Sequence, residues 1–61
     1  MKAWIEVEDD WHRNYAIGLH VSRWEYCEIG ERKSRKGALN LANRWAEYLG
    51  GLEVKDLTGE D

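Results

Sequence analysis

A single cysteine, Cys27, is present in the 61-residue sequence, and proline and phenylalanine are missing altogether. One cysteine excludes a disulfide within the chain, and it argues against the small secreted domains that disulfides hold together. The missing proline fits a chain that is nearly all helix and strand, since proline interrupts both. These absences predict a domain that no internal disulfide stabilises, in a reducing compartment.

Long hydrophobic runs are also lacking. Residues 1–6 contain no apolar segment of the kind that a signal peptide needs. The longest apolar-leaning stretch without Asp, Glu, Lys or Arg, Asn14 to Ser22, is far too short to cross a membrane. We therefore expect a cytoplasmic protein with no membrane partner.

The composition, 43% hydrophobic and 34% charged, is that of a globular domain. Its stability should be modest, because so short a chain buries only about 60% of the surface that unfolding exposes. The net charge of −3 disfavours a general nucleic-acid binder, whose surface is usually basic. Four tryptophans are a large number for this length, and tryptophan serves both small cores and binding surfaces.

Three segments in the first half of the chain alternate between inward and outward side chains, which predicts strands. They cover residues 2–8, 14–21 and 24–29. Two facings are open for the third segment, and we favour Cys27 and Ile29 inward because the other choice would bury Glu28. A tight connection at Ser22-Arg23 joins the second and third segments.

The second half predicts one helix and a short strand. Ser34 is a good N-cap, and Gly50-Gly51 is a good C-terminal stop, because glycine takes the left-handed conformation there. An apolar stripe at helical spacing contains Ala38, Leu41, Ala42, Trp45 and Leu49, with Ala46 at its margin. Residues 52–57 alternate again as a fourth strand, and residues 58–61 are a polar tail.

These elements predict an α+β fold, in which a three-stranded antiparallel meander has one helix packed on one face and a short fourth strand after the helix. Residues 1–57 form the single domain, and 58–61 form the tail. The expected core residues are Ile5, Val7, Ile17, Leu19, Leu41, Trp45 and Leu49. One helix covers one face of a sheet, so the other face is left open.

The stretch from Ser34 to Ala42, followed by Leu52 to Gly59, resembles a group of bacterial and phage domains of unknown function. These share a short meander, a polar N-cap before an alanine-rich helix, and a closing strand that ends near Asp-x-x-Gly. The likeness covers about half of the chain and implies a fold without a function. The element order is also similar to the arm-type DNA-binding domain of phage tyrosine integrases, whose sheet lies in the major groove. Here, however, the first strand is acidic and the chain continues past the helix.

Catalytic and metal-binding constellations are not evident. The soft metal ligands His12, His20 and Cys27 are spaced by eight and seven residues, unlike the close pairs of zinc sites. A Cys-His nucleophilic pair needs His20 and Cys27 on one face, and the favoured facing separates them. No nucleophile elbow or glycine-rich phosphate loop is present. We expect a protein that is not an enzyme and has no metal, cofactor or small-molecule substrate.

A basic block is the first candidate binding site. It contains Arg32, Lys33, Arg35 and Lys36. The predicted helix begins there, and its free N–H groups and dipole favour an anion such as a nucleic-acid phosphate. The alternative is a solvated loop that balances Glu25, Glu28 and Glu31.

The open sheet face is the second candidate. Alternation places Trp4 and His20 on it, with Gly18 leaving room beside a large ring, and Trp24 and Tyr26 join them if the third strand faces as favoured. Exposed rings suggest a protein-binding surface, or they stack on bases. Alternatively, they shield a small core or are buried in a homodimer. We expect Trp4 to be covered only by a partner or by a second copy.

The leading function is a small non-catalytic binding module that uses this face on a protein partner or on a second copy of itself. An accessory protein of a phage or mobile element would fit. The alternative is a nucleic-acid-binding domain that combines the sheet face with the basic loop Arg32–Lys36.

Overall fold

The computed structural model of the chain describes residues 3–10 and 14–58. Its elements are β1 Trp4–Asp9, β2 Tyr15–His20, β3 Tyr26–Arg32, α1 Arg35–Tyr48 and β4 Glu53–Asp56. The first three strands form an antiparallel meander, and β4 adds to β1 in parallel, which gives the order β3-β2-β1-β4. The predicted α+β fold, with a fourth strand after the helix, is confirmed.

Both ends of α1 lie where the capping residues indicate. The backbone of Ser34 is extended, and its Oγ accepts a hydrogen bond from the backbone N–H of Gly37 at 3.0 Å. After the helix, Gly50 and Gly51 have φ angles of 100° and 84°. This is the left-handed region that glycine adopts without a steric penalty.

The core lies between α1 and one sheet face. Its buried apolar side chains are Ile5, Val7 and Ile17 from the sheet and Ala38, Ala42 and Ala46 from the helix. The alanines are four residues apart, so they form one line along the helix. Because alanine is small, this line lets the helix backbone lie close to the sheet.

The predicted core is partly wrong about the facing of α1. Leu41 and Trp45 are half-buried and pack against the core from beside the alanine line, while Leu49 is 37% exposed. Leu19 is half-buried in the same way. The helix turns its smallest side chains to the sheet, since larger ones on that line would hold it away.

The predicted start of the third strand is wrong, because the turn before it is longer than Ser22-Arg23. The N–H of Val21 donates to the Glu25 carbonyl at 3.0 Å, and the N–H of Glu25 donates to the Ser22 carbonyl at 3.4 Å. Residues 22–25 therefore form the turn, and it contains Trp24. Strand β3 begins at Tyr26 and continues to Arg32, which extends it into the predicted basic loop.

A bulge in β3 shifts its alternation. Gly18 lies opposite Glu28, and Ile17 lies opposite Gly30, so Ile29 is an extra residue in β3. Ile29 packs half-buried against the core. The favoured facing is confirmed, because Cys27 lies opposite Leu19 on the helix side and Glu28 lies on the other face, although the edge-strand side chain of Cys27 is exposed.

The polar tail begins later than expected. Thr58 is only 3% exposed, its N–H donates to Asp56 Oδ1 at 3.1 Å, and its Oγ1 accepts from Arg35 Nε at 3.1 Å. The N–H of Leu57 donates to the Val7 carbonyl at 2.7 Å. Thr58 is therefore part of the fold, and residues 59–61 lie outside the described residues.

Candidate functional site on the helix-free sheet face

Three aromatic rings form a row across the sheet face that α1 leaves uncovered, the helix-free face. Strand register places Trp4 opposite His20 and His20 opposite Tyr26. The ring centroids are 5.2 Å apart for Trp4 and His20 and 4.8 Å apart for His20 and Tyr26. The ring planes lie within 11° and 10° of parallel, respectively. These three residues, the ring row, have the offset-stacked arrangement that aromatic pairs favour.

The two ends of the ring row differ. Lys55, on β4, places its Nζ 4.7 Å from the centroid of the Trp4 ring, which is a cation–π distance. At the other end, Tyr26 is 65% exposed. Within residues 3–10 and 14–58, no further ring or cation stacks on the outer face of Tyr26. The row is closed at β4 and open at β3.

Glu6 fixes two of the rings. Its Oε2 accepts a hydrogen bond from Trp4 Nε1 at 2.7 Å, and its Oε1 lies 3.0 Å from His20 Nε2. Because the Glu6 side chain is only 17% exposed, these contacts are less screened by water than surface contacts are. This role of Glu6 has a signal in the sequence: Glu6 follows Trp4 by two residues, and residues two apart in a strand share one face.

Gly18 lies on β2 directly beneath the rings of His20 and Tyr26. A Cβ added there would lie 3.5 Å from Tyr26 Cδ2 and 3.6 Å from His20 Nε2. The two rings therefore lean over a position that has no side chain. This agrees with the expectation that Gly18 leaves room beside a large ring.

The remainder of the helix-free face is acidic. By strand register, it carries the carboxylates of Glu6, Glu8, Glu28, Glu31 and Glu53. Lys55 is the only cation that the described strands place there. The pKa of Glu31 is raised, chiefly by a hydrogen bond with Asp10, although Asn14 opposes the shift. This face therefore has a concentration of negative charge around its rings.

The arrangement suits a cation better than a nucleic-acid base. The flat faces of Trp4 and His20 already pack on their neighbours, so a base could stack only on the outer face of Tyr26. The carboxylates repel phosphates and attract lysine and arginine side chains. Rings and carboxylates together can hold a positively charged group through cation–π and ionic contacts.

The structure brings together three of the four residues predicted to bind a partner: Trp4, His20 and Tyr26. The fourth, Trp24, is 86% exposed in the turn before β3, where its N–H donates to Ser22 Oγ at 3.3 Å. The expectation that only a partner covers Trp4 is also wrong. Trp4 is already half-buried within its own chain, and Tyr26 is the exposed member of the row.

The basic block does not form one surface with the ring row. Arg35 is paired with Asp56 and Thr58, and together these contacts hold the pKa of Asp56 below its usual value, with the Thr58 hydrogen bonds contributing most. Arg32 lies opposite Tyr15, which packs against the core, so Arg32 is on the helix side of β3. Lys33 and Lys36 are exposed. Among the described residues, no partner contacts either lysine.

Metal-binding groups are dispersed in the part of the chain that the structure describes. No three His, Cys, Asp or Glu side chains there lie close enough to hold a metal ion. His20 shares a face with Tyr26, whereas Cys27 lies opposite Leu19 on the other face. His12 lies outside the described residues. No described helix is long and apolar enough to cross a membrane.

Comparison with known proteins gives no relative: no family model, curated protein or solved structure matches the chain. The resemblances to phage and bacterial domains of unknown function and to integrase arm-binding domains therefore stay predictions. The same holds for a phage origin and a cytoplasmic location.

Proposed function

We propose that this chain is a non-catalytic binding module that holds a protein partner on its helix-free face. The ring row carries the proposal, since three stacked rings end there in a Tyr26 that is 65% exposed. Tyrosine and tryptophan supply large contact areas and are enriched among the residues that dominate interface energies. Because Glu6 holds Trp4 and His20, and Tyr26 stacks on His20, docking costs little further side-chain entropy in the row.

The charge of the face favours a protein partner over a second copy or a nucleic acid. Two copies docked face to face would oppose two sets of carboxylates, and juxtaposed like charges cost affinity. A nucleic acid would bring its phosphates to the same carboxylates. A protein segment can instead be cationic and match the face.

A display library of random peptides, panned against the full chain, tests the proposal. We expect bound peptides to shift the NMR amide signals of Trp4, His20 and Tyr26. Tyr26→Ala should weaken their binding about 30-fold, as expected for a residue that dominates an interface. Tyr48→Ala is the matched control, because it removes an 81% exposed ring from α1. A library without enriched peptides, or a footprint on α1, would contradict the proposal.

Two further measurements test whether a second copy of the chain or a nucleic acid occupies the helix-free face instead. We expect a monomer in analytical ultracentrifugation and no retention on duplex DNA at low salt. A dimer that Tyr26→Ala dissociates would favour the second copy. DNA retention that disappears on charge reversal at Lys33 and Lys36 would favour the nucleic-acid alternative, since salt-sensitive phosphate contacts drive such binding.

A further inference from the structure

The open end of the ring row indicates the chemistry of the partner. At the β4 end, the row ends on the Lys55 ammonium group over Trp4, whereas no described cation covers Tyr26 at the β3 end. We propose that the outer edge of β3 receives an extended segment of a protein partner, and that an arginine or lysine of this segment covers the open face of Tyr26. This inference rests on the proposed function and specifies its partner.

The edge of β3 is suited to an added strand. β3 is the first strand in the sheet order and has seven residues, and no described strand pairs with its outer side. Unpaired backbone N–H and C=O groups along such an edge are a template for an extended peptide. β-Augmentation would therefore continue the sheet beyond Tyr26.

The geometry of the ring row fixes where a partner side chain would lie. Trp4, His20 and Tyr26 occupy directly opposed positions on successive strands, with rings 4.8–5.2 Å apart. Neighbouring strands in a sheet are separated by about 4.8 Å. A fifth strand would consequently place one side chain beside Tyr26 at the distance that the existing rings keep.

The charge around Tyr26 favours a cation at that position. Glu28 follows Tyr26 by two residues, is exposed and shares the helix-free face. Arginine suits both groups, because its planar guanidinium can stack on the ring while its N–H groups donate to a carboxylate. Lysine would repeat the contact that Lys55 makes with Trp4.

A second copy paired along β3 does not supply this cation. The β3 side chains on the helix-free face are Tyr26, Glu28 and Glu31, whereas Arg32 lies on the opposite face. Two β3 edges would therefore bring carboxylates together, which is unfavourable. The complementary chemistry belongs to a different chain.

Matched peptides test the inference on the 61-residue chain. Each peptide has seven residues, the length of β3, with serine and threonine around a central arginine, lysine, citrulline or glutamate. Citrulline keeps the shape of arginine and removes its charge. We expect fluorescence anisotropy to show the arginine peptide binding about tenfold more tightly than the citrulline peptide, the effect of a cation–π contact with an ionic one. The glutamate peptide should bind weakest.

Variants of the protein locate the effect. Tyr26→Leu and Glu28→Gln should each reduce the difference between the arginine and citrulline peptides. Their controls on α1, Tyr48→Leu and Glu47→Gln, should leave it unchanged. In NMR titrations the amide signals of β3 should shift more than those of β4. A difference that survives Tyr26→Leu, or larger shifts at β4, would overturn the inference.

The outcomes separate this inference from the proposed function. Equal binding of the arginine and citrulline peptides, or library peptides that depend on Tyr26 but contain no basic residue, would overturn the cationic partner and leave the binding module standing. A library from which no peptide binds would overturn both. Enriched peptides with a basic residue, weakened by Tyr26→Ala and Glu28→Gln, would support both.

Discussion

The two faces of the sheet bury their side chains by different means. Under α1, Ile5, Val7 and Ile17 are fully buried against a line of alanines. On the helix-free face, large and charged side chains cover one another, and Trp4 is half-buried between His20 and Lys55. The described residues form one helix, so the side chains on the second sheet face are shielded by one another. The helix-covered face buries its aliphatic side chains within the chain, whereas the ring row ends at the exposed Tyr26, and this difference is the basis of the proposed binding surface.

Removing a buried side chain from the covered face should have the largest effect. Ile17→Ala should cost about 2–5 kcal/mol, the usual loss for a buried isoleucine. That is a large share of the stability of so small a domain, which seldom exceeds about 5 kcal/mol. Urea unfolding followed by circular dichroism measures the loss. The control is Ala16→Ser, next to it on the helix-free face, where we expect less than about 0.5 kcal/mol. Equal urea midpoints for Ile17→Ala and Ala16→Ser would contradict the conclusion that only the helix-covered face holds the core.

Replacing one glycine on each sheet face by alanine compares how tightly the two faces are packed. At Gly30, on the covered side, a Cβ would lie 2.6 Å from Leu41 Cδ2, so this side chain of α1 must move. At Gly18, on the helix-free face, the nearest atom would lie at an ordinary 3.5 Å. We expect Gly30→Ala to cost about 1–3 kcal/mol. Gly18→Ala should stabilise by about 0.4–1 kcal/mol, because it restricts the unfolded chain. Thermal melts that rank the two variants in the reverse order would contradict this.

Local sequence patterns were sufficient to predict the fold and the sheet face on which Trp4 and His20 lie. The cap at Ser34, the stop at Gly50-Gly51 and the alternation of β1 and β2 depend on neighbouring residues only. The same alternation placed Trp4 and His20 on the face without a helix. The sequence is informative wherever one element decides the outcome.

Features that depend on two elements could not be predicted. The bulge at Ile29 is defined by pairing with β2, and it changes which β3 residues share a face. The facing of α1 depends on how close its alanines come to the sheet. Lys55 reaches Trp4 only because β4 pairs in parallel with β1, which the alternation of residues 52–57 does not show.

One substitution can remove the cation at the closed end of the ring row. Lys55→Met keeps an unbranched stem over Trp4 and loses the ammonium group, so we expect a loss of about 0.5–1 kcal/mol in the free energy of unfolding. Lys36→Met is the control, since Lys36 is exposed and has no partner among the described residues. Urea unfolding at low ionic strength compares the two, because urea is uncharged and does not screen the contact. An equal loss in both variants would show that the cation does not stabilise the row.

The smallest effects concern two carboxyl groups, one on each face. Asp56 lies toward α1, where the N–H and hydroxyl of Thr58, and then Arg35, hold its pKa below the usual 3.8. Glu31 lies on the helix-free face, where its hydrogen bond with Asp10 is the main cause of a pKa above the usual 4.5. These opposite shifts predict opposite dependences of stability on pH.

Linkage between protonation and folding gives the sign for each group. A lowered pKa, as for Asp56, contributes stability that is present above 3.8 and is lost as the pH falls through the folded value. A raised pKa, as for Glu31, contributes stability that is present below 4.5 and is lost as the pH rises through the folded value.

Asp56→Asn should therefore melt below the parent at neutral pH and approach it in acid. Glu31→Gln should melt above the parent at neutral pH and lose that advantage in acid, because its neutral amide removes the repulsion from Asp10. Thermal midpoints measured from about pH 2 to pH 8 span both usual pKa values. If both variants melted above the parent at neutral pH, or both below it, the two carboxyl groups would not have opposite effects on stability.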